Sequence, residues 1–250
     1  MAVEAVPGAS QRCAAERVLL PVGERTGERT GERIWRPRLV AQSHLPLLVT
    51  TRCHQTPWTT LPPAALVVQN GLGQPRPVVT AFMALDVIDG VLTALGPAPR
   101  LVVMRQMPLM QQWQPVLRAW RDAGLLVEEV ADPRPAQWEK AILNATVGPL
   151  TLTRSGSAAT MAAVWADPIT RALVLAATEE GLAIAHAEGI RLTAGVVERA
   201  SALFSAIGDH VPSCRRDPGE LPHIHGPLLA AAARHRLAAP VLTAIAHGAC

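Results

Sequence analysis

Five residues, Ala131-Asp132-Pro133-Arg134-Pro135, divide this chain. Proline has no amide hydrogen to give a helix or a sheet, and it drives the preceding residue out of the helical region. Two prolines in three positions therefore stop any regular element that reaches them. The patterning differs on the two sides. Upstream lie short apolar runs of strand length: LPLLVTT (45–51), ALVV (65–68), LVVM (101–104) and LLVEEV (125–130). Between the last two, residues 113–123 read as a helix with Pro115 near its start. Downstream no strand signal is strong. A helix starts within 135–145, and Asp167-Pro168 is an N-cap followed by proline at the first helical position. That helix runs to about Ala187, broken only by Gly181. Residues 193–207 and 226–236 are further helical patterns, and Pro240 opens another. The expected fold is α/β, with an α/β part over 1–132 and an all-α part over 133–250.

The first forty residues read as irregular. Within them GERTGERTGERI (23–34) repeats a charged, glycine-rich tetrapeptide with little to bury, as in a loop or flexible ribbon. The rest has globular composition: 49% of residues are hydrophobic and 17% charged. With no tyrosine and two phenylalanines, the core must be built from Leu, Val, Ala and Ile. The net charge of +3 comes from arginines scattered along the chain. No nucleic-acid partner is expected from that distribution, whereas an anionic small molecule or a phosphate-bearing cofactor suits it. Cys13, Cys53, Cys214 and Cys250 show no CxxC spacing and read as free thiols in a reducing compartment. Neither a membrane span nor a signal peptide is legible, so a cytoplasmic location is expected.

Lys140 stands out because it is the single lysine among 23 basic residues. Arginine cannot release a proton near neutral pH, whereas a lysine ammonium can once it is desolvated. Asn144 follows four positions later, which places both side chains on one helix face. Ala141, Ile142 and Leu143 are apolar, so most of that helix is expected to be buried. Upstream, the 65–68 run enters Gln69-Asn70-Gly71-Leu72-Gly73, and turns at the carboxyl ends of strands hold ligands in open α/β sheets. No metal is expected: His223-x-His225 has no clear carboxylate or cysteine partner. Cys53-His54, adjacent on a strand, would point to opposite faces. Arg215-Arg216 reads as a solvated loop.

The turn Gln69-Asn70-Gly71-Leu72-Gly73, then Trp138-Glu139-Lys140 with Asn144, then Pro149-Leu150-Thr151, resembles ketopantoate reductase (2-dehydropantoate 2-reductase). Val211-Pro212-Ser213, Gly219-Glu220-Leu221 and Gly226 resemble that family's substrate-binding stretch. The resemblance covers roughly 45–245. It implies a partial Rossmann-like N-terminal domain followed by an all-α C-terminal domain, and NADPH-dependent reduction of a 2-oxo acid to a 2-hydroxy acid in pantothenate biosynthesis. The family's catalytic residues fall on Lys140 and Glu220, and its substrate-binding residues on Asn70, Asn144 and Ser213. Cofactor contacts fall on Arg52, Gln69 and Asn70. A small-molecule 2-oxo acid is the implied partner, and the long apolar C-terminal helices suit a homodimer.

The chain also departs from that pattern. It contains no GxGxxG, the turn whose backbone amides cradle a pyrophosphate. Gly148 stands where the family has a second asparagine, and the stretch from Ser213 to Glu220 is about five residues shorter. Weak NADP binding is therefore expected. The alternative expectation is a non-catalytic ketopantoate-reductase-like binding or regulatory module that has lost the cofactor site. A further expectation places a native start upstream of Met1.

Overall fold

The computed structural model describes residues 47–50, 52–88, 91–106, 110–208 and 210–248, with the short strand segments 2–5, 18–21, 28–29, 32–33 and 38–39. The chain forms two units: residues 1–69, 74–81 and 100–131 in one, and 70–73, 82–99 and 132–250 in the other. The last change of unit falls at Ala131-Asp132, inside the proline-rich segment.

In the first unit, β1 (Ala2–Ala5), β2 (Val18–Pro21), β5 (Arg38–Leu39), β6 (Leu47–Val49) and β7 (Leu66–Val67) form a sheet of order β5-β2-β1-β6-β7. β1 runs parallel to β6, with Glu4 opposite Leu47, and β6 parallel to β7, with Leu48 opposite Leu66. Parallel strands are covered on both faces and read as continuous apolar runs. That explains why 45–51 and 65–68 were legible as strands. Val49 and Val67 are fully buried, with Trp58 and Leu61 packed against their cluster. Helix α1 (Met110–Asp122) buries Trp113, Val116 and Leu117, and the Trp113 indole donates to the Ala64 carbonyl at 2.9 Å.

The described part of 1–40 is not wholly irregular. Besides β1, β2 and β5 it contains β3 (Glu28–Arg29) paired antiparallel with β4 (Glu32–Arg33) inside the GERT repeat. These segments are two to four residues long. Their partners lie far off or across a short repeat, so local patterning does not reveal them.

β8 (Thr80–Ile88) and β9 (Val91–Met104) contribute residues to both units. β9 is much longer than the 101–104 run, because Gly96, Pro97 and Pro99 read as breakers. β10 (Leu126–Val130) pairs with β9 only from Arg100 to Met104. Pro97 and Pro99 lie outside that pairing, and β8 borders the other edge of β9.

The second unit is built on α2 (Arg134–Leu150), against which α4 (Pro168–Ala187), α7 (Leu221–Arg234) and α8 (Pro240–Ala246) pack, with α3 (Met161–Ala166) beside it. Ala141, Ile142, Ala145 and Val147 are fully buried. Among the described residues no strand follows Val130. Asp167 caps α4 through a 2.9 Å bond from the Ile169 amide, with Pro168 first in the helix. Gly181 does not break α4. A Cβ there would lie 2.9 Å from Ile142 Cγ1, so the glycine lets two helices approach. α5 (Val196–Ala206) and α6 (Ser213–Arg216) complete the unit. α7 begins at Leu221, earlier than the 226–236 pattern, because Pro222 suits a first helical turn. Phe82, Ala84, Leu95 and Leu72 join this core.

Candidate active site

Four of the residues singled out from sequence meet within the second unit. Gly71 has φ 90, a left-handed conformation that glycine adopts freely, and the backbone there leaves β7 carrying Asn70. Asn70 Nδ2 donates to Glu220 Oε1 at 3.2 Å, and Ser213 Oγ donates to Glu220 Oε2 at 2.9 Å. Both carboxylate oxygens are thus engaged, and Glu220 is only 3% exposed. The turn that delivers it is fastened locally. The Asp217 carboxylate accepts from the Gly219 amide at 3.1 Å, and the Glu220 amide donates to the Asp217 carbonyl at 3.2 Å. α7 starts directly after Glu220.

Lys140 projects from the middle of α2. Its Nζ lies 5.7 Å from the centroid of the Phe82 ring. Burial disfavours the ammonium and lowers its pKa from 10.5 to about 8, while the nearby charge of Glu220 opposes the fall. No carboxylate forms a close ion pair with it among the described residues. Its cation is therefore available to a ligand, in an environment where proton release near neutral pH is feasible.

Asn144, one turn along α2, is partly buried. Gly148, another turn on, has space that Cys214 Sγ fills at 3.2 Å from where a Cβ would stand. Glu139 points elsewhere: it is buried in a two-pronged ion pair with Arg199 at 2.9 and 3.0 Å.

Gln69 and Arg52 belong to the first unit. Gln69 is buried at the end of β7 and donates to Thr56 Oγ1. Arg52 lies three residues beyond β6 and precedes a 3-10 turn, Cys53–Gln55. Cys53 and His54 sit in that turn and not on a strand. Both Arg52 and Gln69 follow the carboxyl ends of parallel strands, the place where doubly wound sheets hold ligands. The stretch after β1 holds a single glycine, Gly8, which does not make a GxGxxG turn.

His225 is buried, with Nε2 2.9 Å from the Ala145 carbonyl, and burial lowers its pKa. It ties α7 to α2. Among the described residues no group of His, Cys, Asp and Glu is placed to hold a metal. No described helix is long and apolar enough to cross a membrane.

Sequence patterning missed Phe82 and Arg215. Phe82 lies on a strand that was not legible. Arg215 is no solvated loop residue: it is partly buried, and Nη1 donates to the carbonyls of Thr151 at 2.6 Å and Arg154 at 3.0 Å. Only the fold brings those acceptors to it.

Residues 132–248 match the family described as ketopantoate reductase PanE/ApbA C terminal. A 2-dehydropantoate 2-reductase from Halobacterium salinarum is 32% identical over 136 residues, which are 52% of this chain and 44% of that protein. The match thus spans less than half of that relative's length. The crystal structure of 2-dehydropantoate 2-reductase from Geobacter metallireducens superposes with a TM-score of 0.67 at 18% identity, covering 98% of this chain and 84% of that one. D-mandelate dehydrogenase in ternary complex with NADH and anilino(oxo)acetate gives 0.65 at 17% identity, covering 84% and 77%. Both share its fold, a mixed α/β part followed by helices.

Proposed function

We propose a reductase function from the premise that this chain carries the C-terminal domain of the ketopantoate reductase family over residues 132–248. Its reaction is reduction of a 2-oxo acid to the 2-hydroxy acid, with ketopantoate the first substrate to test and NADPH the first reductant. The observation that carries this is Lys140, whose pKa of about 8 suits a proton donor near neutral pH, beside a buried Glu220 held by Asn70 and Ser213. Residues 1–132 would serve the cofactor and residues 133–250 the substrate, with Asn70 supplied to the substrate side by the turn after β7.

A nicotinamide dinucleotide, when bound, supplies hydride to the carbonyl carbon. As negative charge grows on the carbonyl oxygen, the Lys140 ammonium stabilises it and transfers its proton, leaving the hydroxyl and a neutral amine. Glu220 helps keep Lys140 protonated, and with Ser213, Asn70 and Asn144 it orients the substrate's polar groups. Arg52 and Gln69 would hold the dinucleotide. Without a three-glycine turn, its pyrophosphate has fewer backbone donors than a complete fingerprint provides. A homodimer in the cytoplasm is part of the same proposal.

The test is Lys140→Arg, assayed by absorbance at the nicotinamide band with ketopantoate and other 2-oxo acids. Arginine keeps the charge but cannot give up the proton, so turnover should fall by about 10²–10⁴ while the melting curve stays near the parent's. In the parent, turnover should decline as pH rises through about 8, where Lys140 loses its proton. A Lys140→Arg variant as active as the parent would remove the lysine from the mechanism.

A further inference from the structure

The segment that carries Ser213 is fastened at two points, one on α2 and one on the turn that follows it, neither of which belongs to the substrate-holding set. Cys214 is buried, is not in a disulfide, and packs its sulfur into the space left by the missing side chain of Gly148. A Cβ at position 148 would lie 3.2 Å from Sγ and 3.6 Å from Pro212 Cβ, so glycine there sets how closely the 212–214 segment approaches α2. One residue further on, the Arg215 guanidinium donates to the carbonyls of Thr151 and Arg154. Thr151 and Arg154 lie in and just after the 3-10 turn Thr151–Thr153 that follows α2, where the Thr151 carbonyl also takes the Arg154 amide at 3.3 Å, and carbonyls past a helix end accept from cationic side chains. Charge-assisted bonds to such carbonyls are among the stronger hydrogen bonds. α6 is only four residues long and cannot hold its own place, because so short a helix is marginal without tertiary contacts.

We infer that Gly148, Cys214 and Arg215 form a latch in which Arg215 is a positioning residue, holding Ser213 and through it Glu220 in register with the Lys140–Asn144 face of α2. The inference rests on the reductase reading for its effect on substrate, but the latch itself does not. Ser213 is exposed and bonded to Glu220, so its place depends on α6. Release of Arg215 leaves Lys140 on its buried helix and loosens the groups that grip the substrate. Loss of ground-state contacts raises KM more than it lowers kcat.

The experiment uses the whole chain and two readouts. The first is the rate at which iodoacetamide labels Cys214, followed by peptide mass spectrometry in the folded protein, which requires no activity. Arg215→Met should accelerate that labelling about tenfold or more, and Arg215→Lys, which can still donate to one carbonyl, by less. The second is steady-state reduction of a 2-oxo acid: Arg215→Met should raise KM about tenfold with kcat changed less than about threefold, and Arg215→Lys should recover part of the KM. Should Arg215→Met fail to fold, Gly148→Ala tests the same latch. Its Cβ should press Cys214 outward and speed labelling, and adding Cys214→Ala should return KM toward the parent's. Unchanged Cys214 labelling in both Arg215→Met and Gly148→Ala overturns the latch. Accelerated labelling with unchanged KM overturns the positioning role. A parent inactive on every 2-oxo acid defeats the reductase reading and the positioning role with it, while accelerated labelling would still support the latch.

Discussion

Replacement of Lys140 by methionine should stabilise the fold at pH 7 and do so in a pH-dependent way. In the folded protein, burial holds the Lys140 pKa at about 8, against an ordinary 10.5. At about 1.4 kcal/mol per pH unit, that gap corresponds to at most about 3.5 kcal/mol of unfavourable free energy for keeping the ammonium where it is, and to less because the side chain is only partly buried. Below pH 8 the lysine is charged in both the folded and the unfolded chain, and the whole penalty is present. Between pH 8 and 10.5 the unfolded chain binds the additional proton, so folding becomes more favourable as pH rises and the penalty disappears. Methionine is unbranched and near in length, so it can fill the same space without a charge. Part of the gain is offset because Glu220 loses a nearby cation while its bonds from Asn70 and Ser213 remain. The net expectation is stabilisation by about 1–3 kcal/mol at pH 7, shrinking toward zero near pH 10.5. Urea unfolding of parent and variant at pH 7, 8.5 and 10 measures it. A variant less stable than the parent at pH 7, or a difference that does not change with pH, would refute the desolvated lysine. The chain would then hold no strained proton donor at this position.

Arg199→Ala should destabilise the second unit by roughly 1–3 kcal/mol, because it strips both bonds from a Glu139 side chain that is 6% exposed. Urea melts measure the loss, and Glu139→Gln in the same background should recover part of it. Gly181→Ala should also destabilise, since the new Cβ meets Ile142 at 2.9 Å. Overpacking of about 1–3 kcal/mol outweighs the helix-propensity gain of about 1 kcal/mol, and a raised melting temperature would contradict the close approach. NADPH titrated by fluorescence should bind weakly for want of a GxGxxG turn. Sub-micromolar affinity would show that other backbone donors replace it.

Much of the helical part was readable from local chemistry. The Asp167-Pro168 cap and the apolar stretch after it act through neighbours in sequence, so patterning exposes them. The same is true of the short runs that became β6, β7 and β10. Lys140 was conspicuous because a chain that uses arginine at every other basic position keeps one residue able to release a proton. Asn70, Ser213 and Glu220 came from motif resemblance. Their meeting is tertiary: Asn70 and Glu220 are 150 positions apart yet share a hydrogen bond. The early half of β9 was not legible, because Gly96, Pro97 and Pro99 signal a break wherever strand pairing is unknown. The depressed pKa of Lys140 also belongs to the fold, since burial is a property of what packs around α2 and not of α2's sequence. Arg215 shows the division most clearly. Its sequence is that of a solvated basic pair, and only the folded chain supplies the two carbonyls that make it a clasp. Local sequence sets conformational preference and charge, while the environment that gives a side chain its chemistry comes from residues far along the chain.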